Sequence, residues 1–567
     1  MKVINTRTGF ATNSSSSHSI IYSSDPSTFL DGRNEDGNDF GWGWFLQKSK
    51  EDKLKYVVEQ YKAMDNREIA EMVGVTEDEV EAHRVTDEYG GIDHESFGLI
   101  PHSMAKMIVN NDKFAILGGN DNSEVPSWAE NYEPYDVAEV NMVLKIHNEI
   151  TEGDKKRVVK STSIGNKVVV EEQVATVFDT YTGRKVRYNP YGTEEVYQSF
   201  PELVDIKITD YCPYGCSYCY QDSTLSGQHA DFDELKSMVD FLRSNGAFEL
   251  AIGGGEPTLY PHFEELIEYC NKEDGNGLTI VPNFTTRNLS VFKRDVEETH
   301  DLLKSIGGFA FSVDDSDDVK KFERLVDYWI DVSNSLVNDV KLDNELYKDY
   351  RIDIAESSGI IKCLMKKISI QVVLGSLDRE EYINIAKQLN HSIGEINKKL
   401  DDMRNNIESL KEILRAYYNR EENKNKRVNL YIPYPFNTVL VGNVPTLMLL
   451  GYKTTGRASQ PEYDYTHTAI KDILMNHRLY NIGIDTSAAQ QMQPQLEELE
   501  VDPTTYYIKE GVASCYIDAV NGTMAASSYN DNVANDDMDI YDSNTFTETF
   551  NSYQKMAMNA IPIFLSE

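Results

Sequence analysis

From Val204 onward, short runs of β-branched and aromatic residues alternate with longer stretches of helical periodicity, and this alternation limits the fold more than any other feature of the chain. VDIKIT leads into a cysteine-containing loop and then a predicted helix near 231–245. FELAIGG precedes a helix near 261–272, GLTIVPNF one near 291–305, GGFAFSV one near 317–338 and KISIQVVLG one near 380–390. VPTLMLLG, near 444–451, is a sixth candidate strand. Parallel strands need a crossover connection, and a helix is the usual one. Repeated βα units therefore predict an α/β fold built on a parallel sheet or barrel. In such folds the functional groups gather at the carboxyl ends of the strands.

Two motifs stand at those ends. VDIKIT is followed by Cys212-Pro-Tyr-Gly-Cys216-Ser-Tyr-Cys219. Three thiols so close cannot share one helix face, so they wrap as a loop, and such a loop suits a soft metal centre. Iron–sulfur clusters take four cysteines. Three leave one metal position for a ligand from outside the protein. The spacing alone also admits zinc with His229 as a fourth ligand, although the paired CxxC units of zinc ribbons are missing. The second motif, Gly253-Gly254-Gly255-Glu256-Pro257, closes FELAI. Glycines let a backbone turn sharply and approach a ligand closely.

The CxxxCxxC loop together with the GGEP strand end resembles the radical S-adenosylmethionine (SAM) superfamily, over a stretch from about 200 to about 375. The resemblance implies a partial (β/α)6 TIM-like barrel, here spanning 196–455. It implies a [4Fe–4S] cluster on Cys212, Cys216 and Cys219, with SAM chelating the open iron through its amine and carboxylate. It implies Tyr218 beside the adenine and Gly254, Gly255, Glu256 and Pro257 around the SAM amino group. Ser312 and Asp314, in FSVDD, correspond to strand-end residues that contact ribose. Asn283, Thr285 and Thr286 resemble polar strand ends that approach SAM or substrate. Gln371 lies in the fifth strand, and Lys453 and Arg457 follow the sixth, where they can meet a carboxylate. For each of these weaker matches a locally satisfied loop group is the competing reading. The implied activity is reductive cleavage of SAM to a 5′-deoxyadenosyl radical that abstracts hydrogen, with an electron donor such as a flavodoxin or ferredoxin. No residue is assigned to guide or quench the substrate radical.

Around this core the chain is read in three parts, with an N-terminal α+β region over 1–195 and a C-terminal extension over 456–567. The run Ser14–Ser17 beside His18 resembles a short N-terminal element of phage-type proteins and implies no chemistry. DNREIAEMVGVTEDEVEAHR predicts a helix-turn-helix with Gly74 in the turn and Ile69, Val73, Val75 and Val80 inward. Its second helix carries Glu77, Asp78, Glu79 and Glu81, which phosphates would repel, so a helical packing module is expected rather than a DNA reader. Residues 157–188 alternate apolar with polar and predict a small antiparallel sheet. Ile393, Ile396, Leu400, Met403, Ile407, Leu410, Leu414 and Tyr417 form a heptad stripe, predicting a helical insertion near 390–426 that packs on its own domain or on a second chain.

GVASCYIDAVNGTMAASSY predicts a hairpin with an Asn-Gly turn. It resembles the hairpin that opens the cysteine-rich extension of peptide-modifying radical SAM enzymes. Ser527 and Ser528 stand where a cysteine is expected and no cysteine follows, which speaks against an auxiliary cluster. Cys270, Cys363 and Cys515 read as buried small hydrophobes. The tail 530–543, with five aspartates and no basic residue, reads as solvated.

The formal charge is −38, from 55 basic and 93 acidic side chains. That balance argues against long nucleic acid and anionic membranes as partners. Six sparse cysteines, no apolar run of membrane-spanning length and no signal-type N-terminus place the expected chain in the cytoplasm. Three functional readings remain. The first is peptide or protein modification; the second is nucleobase or nucleotide modification in a phage context. The third is a non-catalytic metal-binding interaction protein.

Overall fold

The computed structural model describes residues 197–420 without a break, then 444–458, 461, 479–498, 511–528 and 542–559. Before residue 197 it describes the elements named below and a few residues around them. The serine run 14–17 and most of the acidic stretch 530–543 lie outside the described residues.

In chain order come strands β1 (Lys2–Arg7), β2 (Ser19–Tyr22), β3 (Arg33–Asn34) and β4 (Phe45–Gln47) and helices α1 (Lys50–Gln60), α2 (Asn66–Val73) and α3 (Glu77–Ala82). Strands β5 (Phe114–Gly118), β6 (Arg157–Ser161), β7 (Asn166–Glu171), β8 (Ala175–Asp179) and β9 (Lys185–Asn189) follow. They make a four-stranded sheet in the order β2-β5-β4-β3 and a five-stranded sheet in the order β1-β9-β8-β7-β6, both antiparallel. The helix-turn-helix has local causes. Asp65 caps α2, Gly74 ends it at φ 77°, and Thr76 with Glu79 forms a capping box on α3. Ile69, Val73 and Val80 are buried, Val75 packs beside them, and Glu77, Asp78 and Glu81 stay exposed, as the pattern predicts.

The central sheet is built from β10 (Leu203–Lys207), α4 (Phe232–Ser244), β11 (Glu249–Gly253), α5 (Phe263–Asn271), β12 (Val281–Thr286) and α6 (Val296–Ser305). It continues with β13 (Phe309–Ser312), α7 (Ser316–Leu342), α8 (Tyr347–Lys367), β14 (Ile368–Val373), α9 (Arg379–Tyr418) and β15 (Thr446–Leu450). The last elements are β16 (Asn481–Ile484), α10 (Thr486–Glu498), β17 (Ser514–Asp518), β18 (Thr523–Ala525) and α11 (Ser543–Asn559). The strand order is β16-β15-β14-β13-β12-β11-β10-β17-β18, and only the β17–β18 pair is antiparallel. This is the mostly parallel sheet that the βα alternation predicts. The six expected strands lie side by side in chain order. Residues beyond 455 add β16 next to β15 and β17 next to β10, so the sheet is wider than six strands. Val204, Ile206, Leu250, Ile252, Ile370 and Val372 alternate along their strands and share one core with the helices, leaving the intervening residues on the inner face.

The five-stranded sheet closes the amino ends of β10–β12. Val169 and Phe178 pack against Phe248 and Val281. Lys167, buried, donates to the carbonyls of Arg243 (3.2 Å), Ala247 (2.5 Å) and Thr279 (3.0 Å). Burial pushes its pKa down to about 7. Glu202, fully buried just before β10, pairs with Lys185 and Arg187 at 2.8 Å each. Burial pushes its carboxyl up, but those two cations outweigh it and hold it far below the usual range. With this end sealed, the carboxyl ends of the strands remain for the site.

Helix α9 runs for 40 residues as one piece, so the expected helix near 380–390 and the expected insertion are a single element up to Tyr418. Its apolar stripe from Ile393 to Leu414 is buried, with Tyr418 rather than Tyr417 as the last buried ring. The stripe faces α7. Ser392 donates to Glu323 (2.7 Å), Lys399 pairs with Asp327 (2.6 Å), and Asn406 donates to Asn334 (2.9 Å). Partners advance together along both helices, so the two run parallel, as helices after parallel strands should. Of the two expected partners for this stripe, its own domain is the one that covers it. Helix α8 was not expected from the sequence. Its buried positions include Ser357 and Ser358, and Gly359 packs so close to His300 that a Cβ would stand 2.8 Å from the ring. These small residues break the apolar period. Among the described residues, no helix is long and apolar enough to cross a membrane.

Candidate active site at the carboxyl ends of β10–β13

The cysteine loop leaves β10 through a tied neck. Asp210 N donates to Gln228 O (2.8 Å), Cys212 N to Thr224 O (2.9 Å) and Thr224 N to Asp210 O (3.0 Å). Gly227 lies so close that a Cβ would be 2.1 Å from Asp210 O. Within the loop, Gly215 has φ 63°, and Cys219 N and Asp222 N close successive turns on Cys216 O and Cys219 O. Cys212, Cys216 and Cys219 are all free thiols and all partly exposed. Burial pushes the Cys212 thiol up, helped by the other two cysteines and Glu256. A bound metal supplies the positive charge that would hold such thiols ionised.

The glycine-rich end of β11 packs under this neck. Gly255 N donates to Thr209 O (2.6 Å) and Glu256 N to Tyr211 O (2.8 Å). A Cβ on Gly254, whose φ is 125°, would stand 2.4 Å from Thr209 O, and one on Gly255 would stand 2.1 Å from Tyr211 O. Only glycine allows this approach. Gly253, by contrast, borders open space.

Glu256 is buried and its carboxylate is fully engaged. It accepts from Thr258 N (3.3 Å), Thr258 Oγ1 (2.7 Å), Thr286 Oγ1 (2.6 Å) and Arg287 N (2.9 Å). It ties the end of β11 to the end of β12. Its backbone is engaged too, the amide by Tyr211 O and the carbonyl by Leu259 N (3.0 Å). Pro257 starts a 3-10 turn behind it.

Arg287, one residue past Thr286, was missed by the sequence reading. Its guanidinium donates to Cys216 Sγ (2.9 Å), pairs with Asp314 and Asp318, and lies over the Tyr214 ring. Burial works against its charge, but Asp314, Tyr218 and Cys216 hold it firmly protonated. A basic residue directly after the polar run Thr285-Thr286 was the available signal. Tyr218 donates its hydroxyl to the same Asp314, so the loop, β12 and the end of β13 meet in one network. Burial and the neighbouring Asp314 push the Tyr218 phenol well up.

Other expected residues are placed less centrally. Asn283 stitches strands, donating to Glu249 (3.2 Å) and accepting from Gly308 N (2.8 Å). Ser312 ends β13 opposite Gln371, both partly exposed. Lys453 donates to Ser528 Oγ (3.0 Å), and Arg457 reaches back to the cysteine loop rather than to an outside carboxylate. Cys270 and Cys515 are buried as expected, and Cys363 is partly exposed.

The donor set fits a cluster better than a zinc ion. His229, the candidate fourth zinc ligand, has Nδ1 2.7 Å from Thr209 Oγ1 and its ring between Tyr211 and Tyr260. A cluster instead spreads three thiolates over different irons. The thiols, the neighbouring guanidinium and the open side of Gly253 suit it.

Comparison with known proteins identifies one family model. Residues 206–334 match the model of the radical SAM superfamily. The mycofactocin maturase MftC of Mycobacterium tuberculosis (strain ATCC 25618 / H37Rv) is 29% identical over 128 residues, which is 20% of this chain and 33% of the maturase. A GTP 3′,8-cyclase of Actinobacillus succinogenes is 34% identical over 74 residues, 12% of this chain and 22% of the cyclase. The chain thus spans a third or less of these relatives' length. Streptococcus suis SuiB bound to S-adenosylmethionine superposes with TM-score 0.34 and 14% identity, over 63% of this chain and 68% of that one.

Proposed function

Because the chain carries a radical SAM superfamily domain, we propose that it is a radical SAM enzyme whose Cys212, Cys216 and Cys219 hold a [4Fe–4S] cluster. The observation that carries this reading is three free thiols on one partly exposed loop, packed against the glycine-lined end of the next strand. When bound, cluster and SAM supply one-electron cleavage of the sulfonium to methionine and a 5′-deoxyadenosyl radical that takes a hydrogen atom, the electron coming from a donor such as reduced flavodoxin or ferredoxin.

The protein's own residues hold and orient. Gly254 and Gly255 bring the end of β11 against the loop, and the backbone around Gly254–Pro257 is the segment proposed to accept from the SAM ammonium. Arg287 offsets the negative charge that gathers on the thiolates. Tyr218, fixed by Asp314, offers a ring face at the position assigned to the adenine. Ser312, at the end of β13, is the residue proposed for the ribose.

For the substrate, a peptide or protein is the favoured class. Its support is the β17–β18 hairpin, which forms as expected with Gly522 at φ 67° and docks β17 on β10 at the barrel edge. Lys207 joins the two, pairing with Asp210 (2.6 Å) and Asp518 (2.8 Å). The mycofactocin maturase and the GTP cyclase both match short stretches only, so they do not separate the two classes. The experiment is anaerobic reconstitution with iron and sulfide, then dithionite and SAM, reading 5′-deoxyadenosine and methionine. Products that vanish in Cys216→Ala support the reading. Iron uptake with no SAM cleavage under any reductant contradicts it. Deuterium transfer into 5′-deoxyadenosine from labelled peptide or nucleotide pools then assigns the class.

A further inference from the structure

The neck fixes residues 209–212 and 224–230 of the cysteine loop, but the tip from 216 to 223 is held from elsewhere. A short segment after β15, residues 452–458, lies against it. Arg457 N donates to Cys219 O (3.0 Å). Its side chain donates to Cys216 O (3.3 Å) and Ser223 O (2.8 Å) and pairs with Asp222 (3.0 Å). Thr455 Oγ1 donates to Tyr220 O (3.1 Å). Gly456 has φ 61°, and a Cβ there would stand 2.5 Å from Tyr220 O. Lys453 sits 4.6 Å from the centre of the Tyr220 ring.

Two features make this more than incidental packing. Cys216 O and Cys219 O, which Arg457 engages, are the same carbonyls that close the two turns carrying the ligands. Asp222, paired with Arg457, is the one non-glycine residue with positive φ among the described residues (53°), a conformation that needs outside support. The segment is itself anchored: Tyr452 N donates to Gln491 Oε1 (3.0 Å), and Gln491 Nε2 donates to Tyr452 O (2.8 Å). An irregular tip loses on the order of 1–2 kcal/mol of backbone entropy per residue when ordered. Prior ordering by contacts over 230 residues away removes part of that cost from metal binding.

We propose that residues 452–458 are a clasp that shapes the cysteine loop for cluster assembly, with Arg457 as its positioning residue. This rests on the cluster reading above. The test compares wild type with Arg457→Ala, Arg457→Lys and Thr455→Val, all shown to fold by far-UV circular dichroism. In the metal-free chain, amide exchange at Cys219 and Asp222 rises about tenfold in Arg457→Ala, because the charged donor that holds Cys216 O and the Asp222 carboxylate is lost. After anaerobic reconstitution, iron and sulfide per chain fall about twofold or more, and the reduced cluster gives a broadened EPR signal. Arg457→Lys restores part of the loading, and Thr455→Val shows a smaller change of the same sign. Wild-type exchange and wild-type loading in Arg457→Ala overturn the clasp alone. A wild-type chain that binds no cluster overturns the cluster reading and the clasp with it. Should Arg457→Ala fail to fold, Thr455→Val decides: unchanged exchange and loading there refute the clasp.

Discussion

Glu256→Gln separates a strand tie from a cofactor ligand. The native carboxylate accepts four hydrogen bonds, including one from Arg287 N at 2.9 Å, and is 2% exposed. Glutamine keeps one acceptor oxygen and replaces the other by an NH2 group. Whichever way it turns, a donor then faces either the Thr258 and Thr286 donors or the Arg287 amide. Leaving a buried donor unsatisfied costs about 1–3 kcal/mol, and losing the charge weakens the remaining bonds. The expected loss is about 2–3 kcal/mol in the chain without cluster or SAM. Urea unfolding read by circular dichroism measures it as a lower midpoint with an unchanged slope. A wild-type midpoint in the metal-free variant, with a defect confined to SAM binding, would refute the reasoning.

Glu202→Gln leaves Lys185 and Arg187 buried beside a neutral group and is expected to cost about 3–5 kcal/mol. The folded pKa of Glu202 is depressed, so its contribution is complete above the ordinary glutamate value of about 4.3 and is lost as pH falls toward the folded value. Melting temperature should therefore drop more steeply on acidification in wild type than in the variant; parallel curves would contradict the pairing. Leu400→Ala removes a fully buried side chain from the α7–α9 seam and should cost about 2–5 kcal/mol. Light scattering should show no change in mass, since the stripe is satisfied within the chain; a shift from dimer to monomer would contradict that packing.

Much of the core was legible because its information is local. The βα alternation from Val204 to the sixth strand repeats within each unit, and the cysteine and glycine motifs fall at the strand ends where chemistry belongs. Sheet membership is not local. Asn481–Ile484 is only four residues long, and nothing in it says that it will pair with β15. The hairpin was legible from its Asn-Gly turn, but not the parallel pairing of Ser514–Asp518 with β10. Likewise the heptad stripe of α9 announced an apolar partner without naming α7. In the site, the cysteines and glycines were readable because few backbones tolerate them for other reasons. Arg287 and the true bonds of Glu256 depend on two strand ends meeting, which only the folded sheet decides.

The central claim, a three-cysteine cluster with an iron left open for SAM, is tested most directly by EPR of the reconstituted, dithionite-reduced chain with and without SAM. The account predicts a [4Fe–4S] signal whose g-values shift when SAM is added and which is lost or degraded in each of Cys212→Ala, Cys216→Ala and Cys219→Ala. A cluster signal indifferent to SAM, or a chain that binds zinc and no cluster, would contradict it.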